Sequence, residues 1–307
     1  MALELRHLRY LLAVAEHGSF TRAAEDLRIS QPTLSQQIKQ LERGVGVQLL
    51  DRTGRAVRLT DAGEAYVHYA RRALRDLAAA ERAVADVQDL SRGSLRLAVT
   101  PTFTAYLIGP LIAELHTRHP GIALDVREMT QDHIESALLA DGLDLGIAFD
   151  GPHLPGIAAT ALFTETLSLV IGAGRSEADA DADADGGRPL PAGALAERHL
   201  ALLSGDFATR GHIDAYFAQE RVSPRIMVEA NSIQALTEIV RRTGLATVLP
   251  DAITHDHPHL RPVPLEPPLP QRTVALLRRE SAYRSAASRA FTDVVQQVLR
   301  TRGYTPA

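Results

Sequence analysis

Residues 19–46, SFTRAAEDLRISQPTLSQQIKQLERGVG, decide the fold. Phe20, Ala23, Ala24 and Leu27 recur at helical spacing and give one apolar stripe. Ile29 and Ser30 interrupt it, and a second stripe runs through Leu34, Ile38 and Leu41. Ser30 is placed to cap the second helix, and Pro32 falls in its first turn, where a missing N–H costs nothing. Two short helices joined by a tight turn, the second polar on its outer face, form a unit that can set a helix into the DNA major groove. At about 100° per residue, Pro32, Gln36, Lys39, Gln40 and Arg43 lie opposite the apolar stripe, with Thr33 and Ser35 on the flanks. Glutamine can pair bidentately with adenine, while lysine and arginine reach guanine or phosphate. A polar face alone is ordinary solvated surface; the two-helix grammar around it is the stronger signal.

Working outward, Leu5, Leu8, Leu11, Leu12 and Ala15 make an amphipathic first helix that should pack under this unit. Downstream, VQLLDRTGRAVRLT alternates at Val45, Val47 and Leu49, turns at residues 51–54, and alternates again at Val57 and Leu59. That predicts a short hairpin, the wing of a winged helix, with Arg52, Arg55 and Arg58 at or near its tip. Beside a reading helix, these arginines are candidates for phosphate and minor-groove contacts. Residues 61–89 predict one long helix, with Thr60 at its start and Gly93 after its end. Tyr66, Ala70, Ala73, Leu77, Ala80, Val84 and Val87 form a heptad seam whose alanines permit close helix approach. The seam predicts pairing with the same helix of another subunit, over a rod on the order of 40 Å.

The stretch from LRHLRYLLAVAEHGSF through the two helices to VQLLDRTGRAVRLTDAG resembles the N-terminal domain of LysR-type transcriptional regulators. The likeness is continuous over roughly the first sixty residues. It implies that Gln31, Pro32, Ser35 and Gln36 face base edges, with Lys39 further along the helix near the backbone. It also implies a fold: α/β, with an N-terminal winged helix-turn-helix, a long linker helix and a C-terminal two-lobed, periplasmic-binding-protein-like effector domain.

From Ser94 onward the pattern is independent support for the two lobes. Leu95, Leu97 and Val99 predict a strand, a helical stripe follows from Phe103 to Leu115, and strands at 122–126 and 143–149 flank a helix at 132–141. That is a βαβαβ half of a mostly parallel sheet. A second such half is expected in strands at 167–171, 200–203, 226–228 and 245–249 with helices at 209–219 and 232–241. A strand at 273–277 and a helix at 282–299 should return to the first half. The expected division is therefore 1–60, the DNA-binding head; 61–90, the linker and dimerisation helix; and 91–307, the effector domain. Its first lobe takes about 91–161 and 266–307, its second about 162–265.

Strands in this body end in small hydroxyl or amide residues at helix starts: Thr100 and Thr102, Thr130, Ser204 with Thr209, and Asn231 with Ser232. In α/β sheets ligands bind at such carboxyl ends, and free helix N–H groups with hydroxyls favour small anions. Each alone is a plain N-cap; several aimed at one cleft predict an effector site, with Phe207 among its residues. Within the LysR family, LAVTPTFTAYLIGPLIAELHTRHP, EMTQDHIESAL, LSGDFATR and EANSIQALTEIVRRTGLATVLP look closest to the cyanate-operon regulator. This resemblance implies a small anionic effector such as cyanate or azide.

Composition bounds the rest. The 307 residues contain no cysteine, which removes disulfides, thiolate metal sites and cysteine nucleophiles. No export signal or membrane-length apolar run is visible, so a cytoplasmic protein is expected. Net charge is −4, yet residues 1–60 carry nine Lys/Arg against six Asp/Glu. A mildly basic head on an acidic body suits contact with DNA at one end. The acidic segment 174–193 should be a mobile surface loop without metal, and the alternating His255, His257 and His259 a turn. No phosphate loop, nucleophile elbow or zinc-helix motif is present, so no enzyme, cofactor or metal is expected. The expected partners are a double-stranded DNA operator, a small, anionic effector molecule, further copies in a homodimer or homotetramer, and RNA polymerase, with no membrane. The alternative is a cytoplasmic solute-binding protein without direct DNA readout.

Overall fold

A computed structural model of the chain describes residues 4–54, 56–88, 93–173, 189–255 and 257–307. These form two compact units, Met1–Ala85 and Asp86–Ala307.

In the first unit, helices α1 (Leu5–His17), α2 (Phe20–Asp26) and α3 (Gln31–Val45) enclose a core of Leu11, Val14, Ala23, Leu34, Ile38 and Leu41. Ser19 and Ser30 cap α2 and α3 through side-chain oxygens that accept backbone N–H bonds from Arg22 and Thr33. The hairpin is shorter than the alternation predicts: β1 (Leu50–Asp51) pairs with β2 (Arg58–Leu59), and Val45 belongs to α3. The helix runs past Gly44 and ends at Gly46, whose φ of 83° is the left-handed cap geometry that favours glycine. Val45 and Val47 are exposed, so their spacing carries no buried face.

Helix α4 (Asp61–Gln88) follows, its first turn capped by the Thr60 hydroxyl, which accepts the Gly63 N–H at 3.0 Å. Gly63 lies so close to the hairpin that a Cβ there would sit 2.0 Å from the Leu49 carbonyl oxygen. Tyr66 and Val67 pack into the head, while further along the seam Ala73, Leu77, Ala80 and Val84 are exposed. Residue 89 and the Val87 side chain lie outside the described residues.

The second unit has two lobes. In the first, a five-stranded sheet has the order β4 (Ala123–Glu128), β3 (Ser94–Val99), β5 (Leu145–Phe149), β14 (Arg272–Arg279), β6 (Ile157–Glu165). The first three are parallel and β14 runs antiparallel to both neighbours. Residues 101–118 are two helices, α5 (Pro101–Thr104) and α6 (Ile108–Arg118), where one stripe was expected. Pro110 explains the break: it fits the first turn of a restarted helix but not the interior of a continuous one. Helices α7 (Gln131–Leu139) and α11 (Ala286–Thr301) complete this lobe. Strand β6 has no counterpart in the sequence reading, because its alanine-rich IAATALFTE shows no period of two. It also moves the crossover to Thr166, beyond the boundary expected at 161/162.

The second lobe is less parallel than expected. Strands β9 (His199–Leu203) and β10 (Arg225–Ala230) form a parallel pair, but β7 (Leu167–Gly172) lies antiparallel between β11 (Thr247–Pro250) and β12 (Leu260–Val263). Helices α8 (Ala208–Glu220), α9 (Ile233–Arg242) and α10 (Asp251–His255) flank them. Of the acidic segment, 174–188 lies outside the described residues. Its end is ordered: β8 (Leu190–Pro191) pairs with β13 (Leu265–Glu266), and Ala192–Glu197 form a 3-10 helix. One hydrophobic core crosses the lobes, uniting Leu97, Ile147 and Phe291 with Ala201, Leu203 and Leu249.

Candidate DNA-reading face and effector cleft

The reading face stands on a buried base. Leu34, Ile38 and Leu41 are at most 2% exposed, so α3 cannot rotate without uncovering them. Burying three such side chains contributes about 1.5–3 kcal/mol each. Gln31, Pro32, Thr33, Gln36 and Lys39 are exposed on the other side, and Ser35 is half-buried. Gln37, one residue on, faces inward and bonds to the Nε2 of buried His7 at 3.0 Å.

The wing arginines divide. Arg52 is not free for phosphate: its Nη2 donates to Glu42 Oε2 at 2.8 Å, and its guanidinium lies 5.2 Å from the Phe20 ring centroid. Glu42 Oε1 also accepts the backbone N–H groups of Leu49 and Leu50, so this carboxylate ties α3 to the start of the hairpin. Sequence reading missed Glu42; an acidic residue just before a Gly-x-Gly helix end was its only signal. Arg58 is exposed, and Arg55 lies outside the described residues.

In the second unit, a cavity of about 400 Å³ opens where β3, β4, β9 and β10 end. Of the eight expected effector residues, Phe207, Asn231 and Ser232 line it. Thr100, Thr102 and Thr209 are buried and do not line it. The Thr100 hydroxyl has no hydrogen-bond partner, whereas Thr102 and Thr209 bond to each other at 3.2 Å across the two lobes. Thr130 and Ser204 are turned elsewhere, to His133 Nδ1 at 2.8 Å and Asp206 Oδ2 at 3.5 Å. The cavity also gathers Thr104, Glu128, Gln234 and Thr237, which the sequence did not single out, and His257, which it had read only as part of a turn. His257 comes from the segment after α10, and its Nδ1 is bonded to the Ile253 carbonyl at 2.8 Å. Among the described residues, no lysine or arginine lines the cavity, and Glu128 is the one carboxylate that does.

A buried ionic node sits at the lobe crossovers. Glu165, the last residue of β6, pairs with Arg272, the first of β14, and accepts the Tyr106 hydroxyl at 2.6 Å. Arg272 Nη1 donates to Thr209 at 3.1 Å, and its guanidinium lies 3.9 Å from the Phe149 ring centroid. Burial pushes the Glu165 carboxyl up, opposed by the Arg272 charge and the Tyr106 hydroxyl. Burial and the adjoining Glu165 also hold the Tyr106 phenol well above its ordinary value.

Residues 5–64 match the model of the bacterial regulatory helix-turn-helix proteins of the lysR family, and residues 88–300 match the LysR substrate binding domain. The chain belongs to the LysR family of transcriptional regulators. It is 32% identical over 251 residues to the nitrogen assimilation regulatory protein nac of Klebsiella aerogenes, covering 81% of this chain and 79% of that one. It is 31% identical over 249 residues to the RuBisCO operon transcriptional regulator of Allochromatium vinosum, covering 81% and 80%. Full-length OxyR from Pseudomonas aeruginosa, solved with a cysteine-to-aspartate substitution, superposes with a TM-score of 0.66 at 25% identity, covering 96% and 95%. Full-length CbnR complexed with its target DNA shares the fold, with a TM-score of 0.55 at 23% identity, covering 96% and 99%.

This LysR-family chain is thus a DNA-binding transcriptional regulator with an effector-binding domain, and not an enzyme. The match over residues 5–64 leaves the solute-binding alternative unsupported. The 307 residues contain no cysteine, so they offer no thiol to oxidise. Among the described residues, no helix is long and apolar enough to cross a membrane.

Proposed function

We propose that Gln31, Pro32, Thr33, Ser35, Gln36 and Lys39 read a double-stranded operator, as the exposed face of a helix whose opposite side is locked into the core. That exposed polar face over Leu34, Ile38 and Leu41 is the observation that carries the reading. Arg52 acts from behind by fixing the hairpin against Glu42, and Arg55 and Arg58 approach phosphate. The regulator works in the cytoplasm as a homodimer or homotetramer paired through α4, so that two heads engage two half-sites. RNA polymerase is a further partner at the promoter.

A small-molecule effector occupies the cleft near Phe207, Asn231 and Ser232. An anionic group on it would rest on hydroxyls and backbone N–H groups, with Glu128 and His257 selecting the rest of the molecule. Cyanate, to which the local resemblance points, would fill only a small part of this cavity. The effector shifts DNA binding by its difference in affinity for two lobe arrangements. The deciding experiment compares Gln36→Ala with wild type on operator and scrambled duplexes, at two salt concentrations. The variant should lose about 10- to 100-fold of its operator preference, consistent with one bidentate contact. Its residual binding should keep the salt dependence of phosphate contacts. An unaltered preference and footprint would remove Gln36 from the reading face.

A further inference from the structure

The first lobe holds a second cavity, unconnected with the proposed cleft. It is a groove of about 450 Å³ between α11 and the β14–β6 end of the sheet. Its position follows from register. Leu276 of β14 pairs with Ile147 on one side and Thr160 on the other, so Leu276 and Arg278 share the sheet face that α11 covers. Between Phe163 and Ala161 the register slips by one residue, a bulge at Leu162. The bulge lets Ala161 and Leu162 both reach the groove, where regular pleating would present one of them. Leu145 and Leu299 complete an apolar floor.

The rim has the opposite character. Arg278, Arg284 and Arg300 line it together with hydroxyl-bearing Ser288 and Thr292, and among the described residues no aspartate or glutamate contributes to its wall. Arg278 donates only to the backbone carbonyls of Arg279 and Glu280, at 3.4 and 3.2 Å, and Arg300 Nε to the Gln296 carbonyl at 3.1 Å. No ion pair to a described carboxylate satisfies any of the three guanidiniums. The contrast with the cleft is a matter of charge: among the described residues, the cleft carries Glu128 and no arginine, this groove three arginines and no acid. Planar guanidinium forks match carboxylate and phosphate oxygens. The volume lies in the range of small-molecule sites, which combine apolar walls with a few convergent polar groups.

We infer that this groove binds an organic anion, a carboxylate or phosphate group on a short apolar body. The charged end is held by Arg278 and Arg300 with Arg284, and the apolar body lies along Leu145, Leu162 and Leu276. The test is isothermal titration of the full-length protein with hexanoate, hexyl phosphate, inorganic phosphate and neutral hexanamide. Hexanoate or hexyl phosphate should bind at one site per chain, and whichever binds identifies the head group. In Arg278→Gln/Arg300→Gln that binding should weaken at least about tenfold, while Ser232→Ala in the cleft leaves it unchanged. Arg300→Gln alone, at an exposed position, should weaken it in part and guards against a folding defect in the double variant. Equal binding by wild type and both arginine variants would overturn the inference. So would hexanamide binding as tightly as hexanoate, inorganic phosphate matching hexyl phosphate, or a loss confined to Ser232→Ala. Arginine variants that change only the sedimentation coefficient, with no anion bound by wild type, would reassign the groove to contact between copies.

Discussion

Thr102 and Thr209 show how much a single hydroxyl decides in this regulator. Each sits at the start of a helix, in opposite lobes, and their oxygens meet at 3.2 Å in a buried position. Thr209 also accepts from Arg272, so removing the Thr102 hydroxyl leaves its partner bonded. Thr102→Val should therefore cost only about 1 kcal/mol of stability, yet weaken the effector's hold on DNA binding, because it cuts a bond that spans the lobes. Mobility shifts with and without effector check this; an effector response equal to wild type would take Thr102 out of the coupling. At this scale the sequence was partly legible. Asn231 and Ser232 are local, since a strand end followed by a capped helix has a readable pattern. Glu128 and His257 were not, because the only thing that makes them neighbours is the packing of distant segments.

Among the elements, α4 carries the least satisfied surface. Tyr69, Leu77 and Val84 are 67%, 41% and 58% exposed, a run of apolar side chains that a lone helix leaves in water. The heptad spacing of Leu77 and Val84 with Ala73 and Ala80 fits a partner helix. Leu77→Glu should leave the head folded, because Leu77 is outside its core, and should convert the assembly to smaller species in analytical ultracentrifugation. Operator affinity should then drop by about 100-fold or more as avidity is lost. A variant that sediments and binds like wild type would assign the pairing to other surfaces. The hairpin and the residue 101–118 break were misread for a common reason. Alternation and helical stripes report where apolar residues recur, not whether Gly46 or Pro110 lets the backbone continue.

At the scale of the molecule, the two lobes are joined at Glu165, Thr166 and Arg272, where the chain leaves and re-enters the first sheet. The Glu165–Arg272 pair is almost fully buried, with side chains 2% and 8% exposed. Arg272→Met leaves the carboxylate without its charge partner and should destabilise the second unit by about 3–5 kcal/mol in denaturant unfolding. A loss below about 1 kcal/mol would show that the node is dispensable to the fold. What the sequence determined by itself is the head, the rod and the alternation of strands and helices, because capping residues, apolar period and heptad spacing act over a few residues along the chain. What only the tertiary structure decided is which strand ends converge, that Arg52 is taken by Glu42, and that arginines gather on the first-lobe groove while none of the described residues lining the cleft is an arginine. Those depend on register, on one bulge at Leu162 and on crossovers that bring together residues more than a hundred positions apart, such as Glu165 and Arg272. Charge and burial at a site are properties of the packed chain, and no local pattern encodes them.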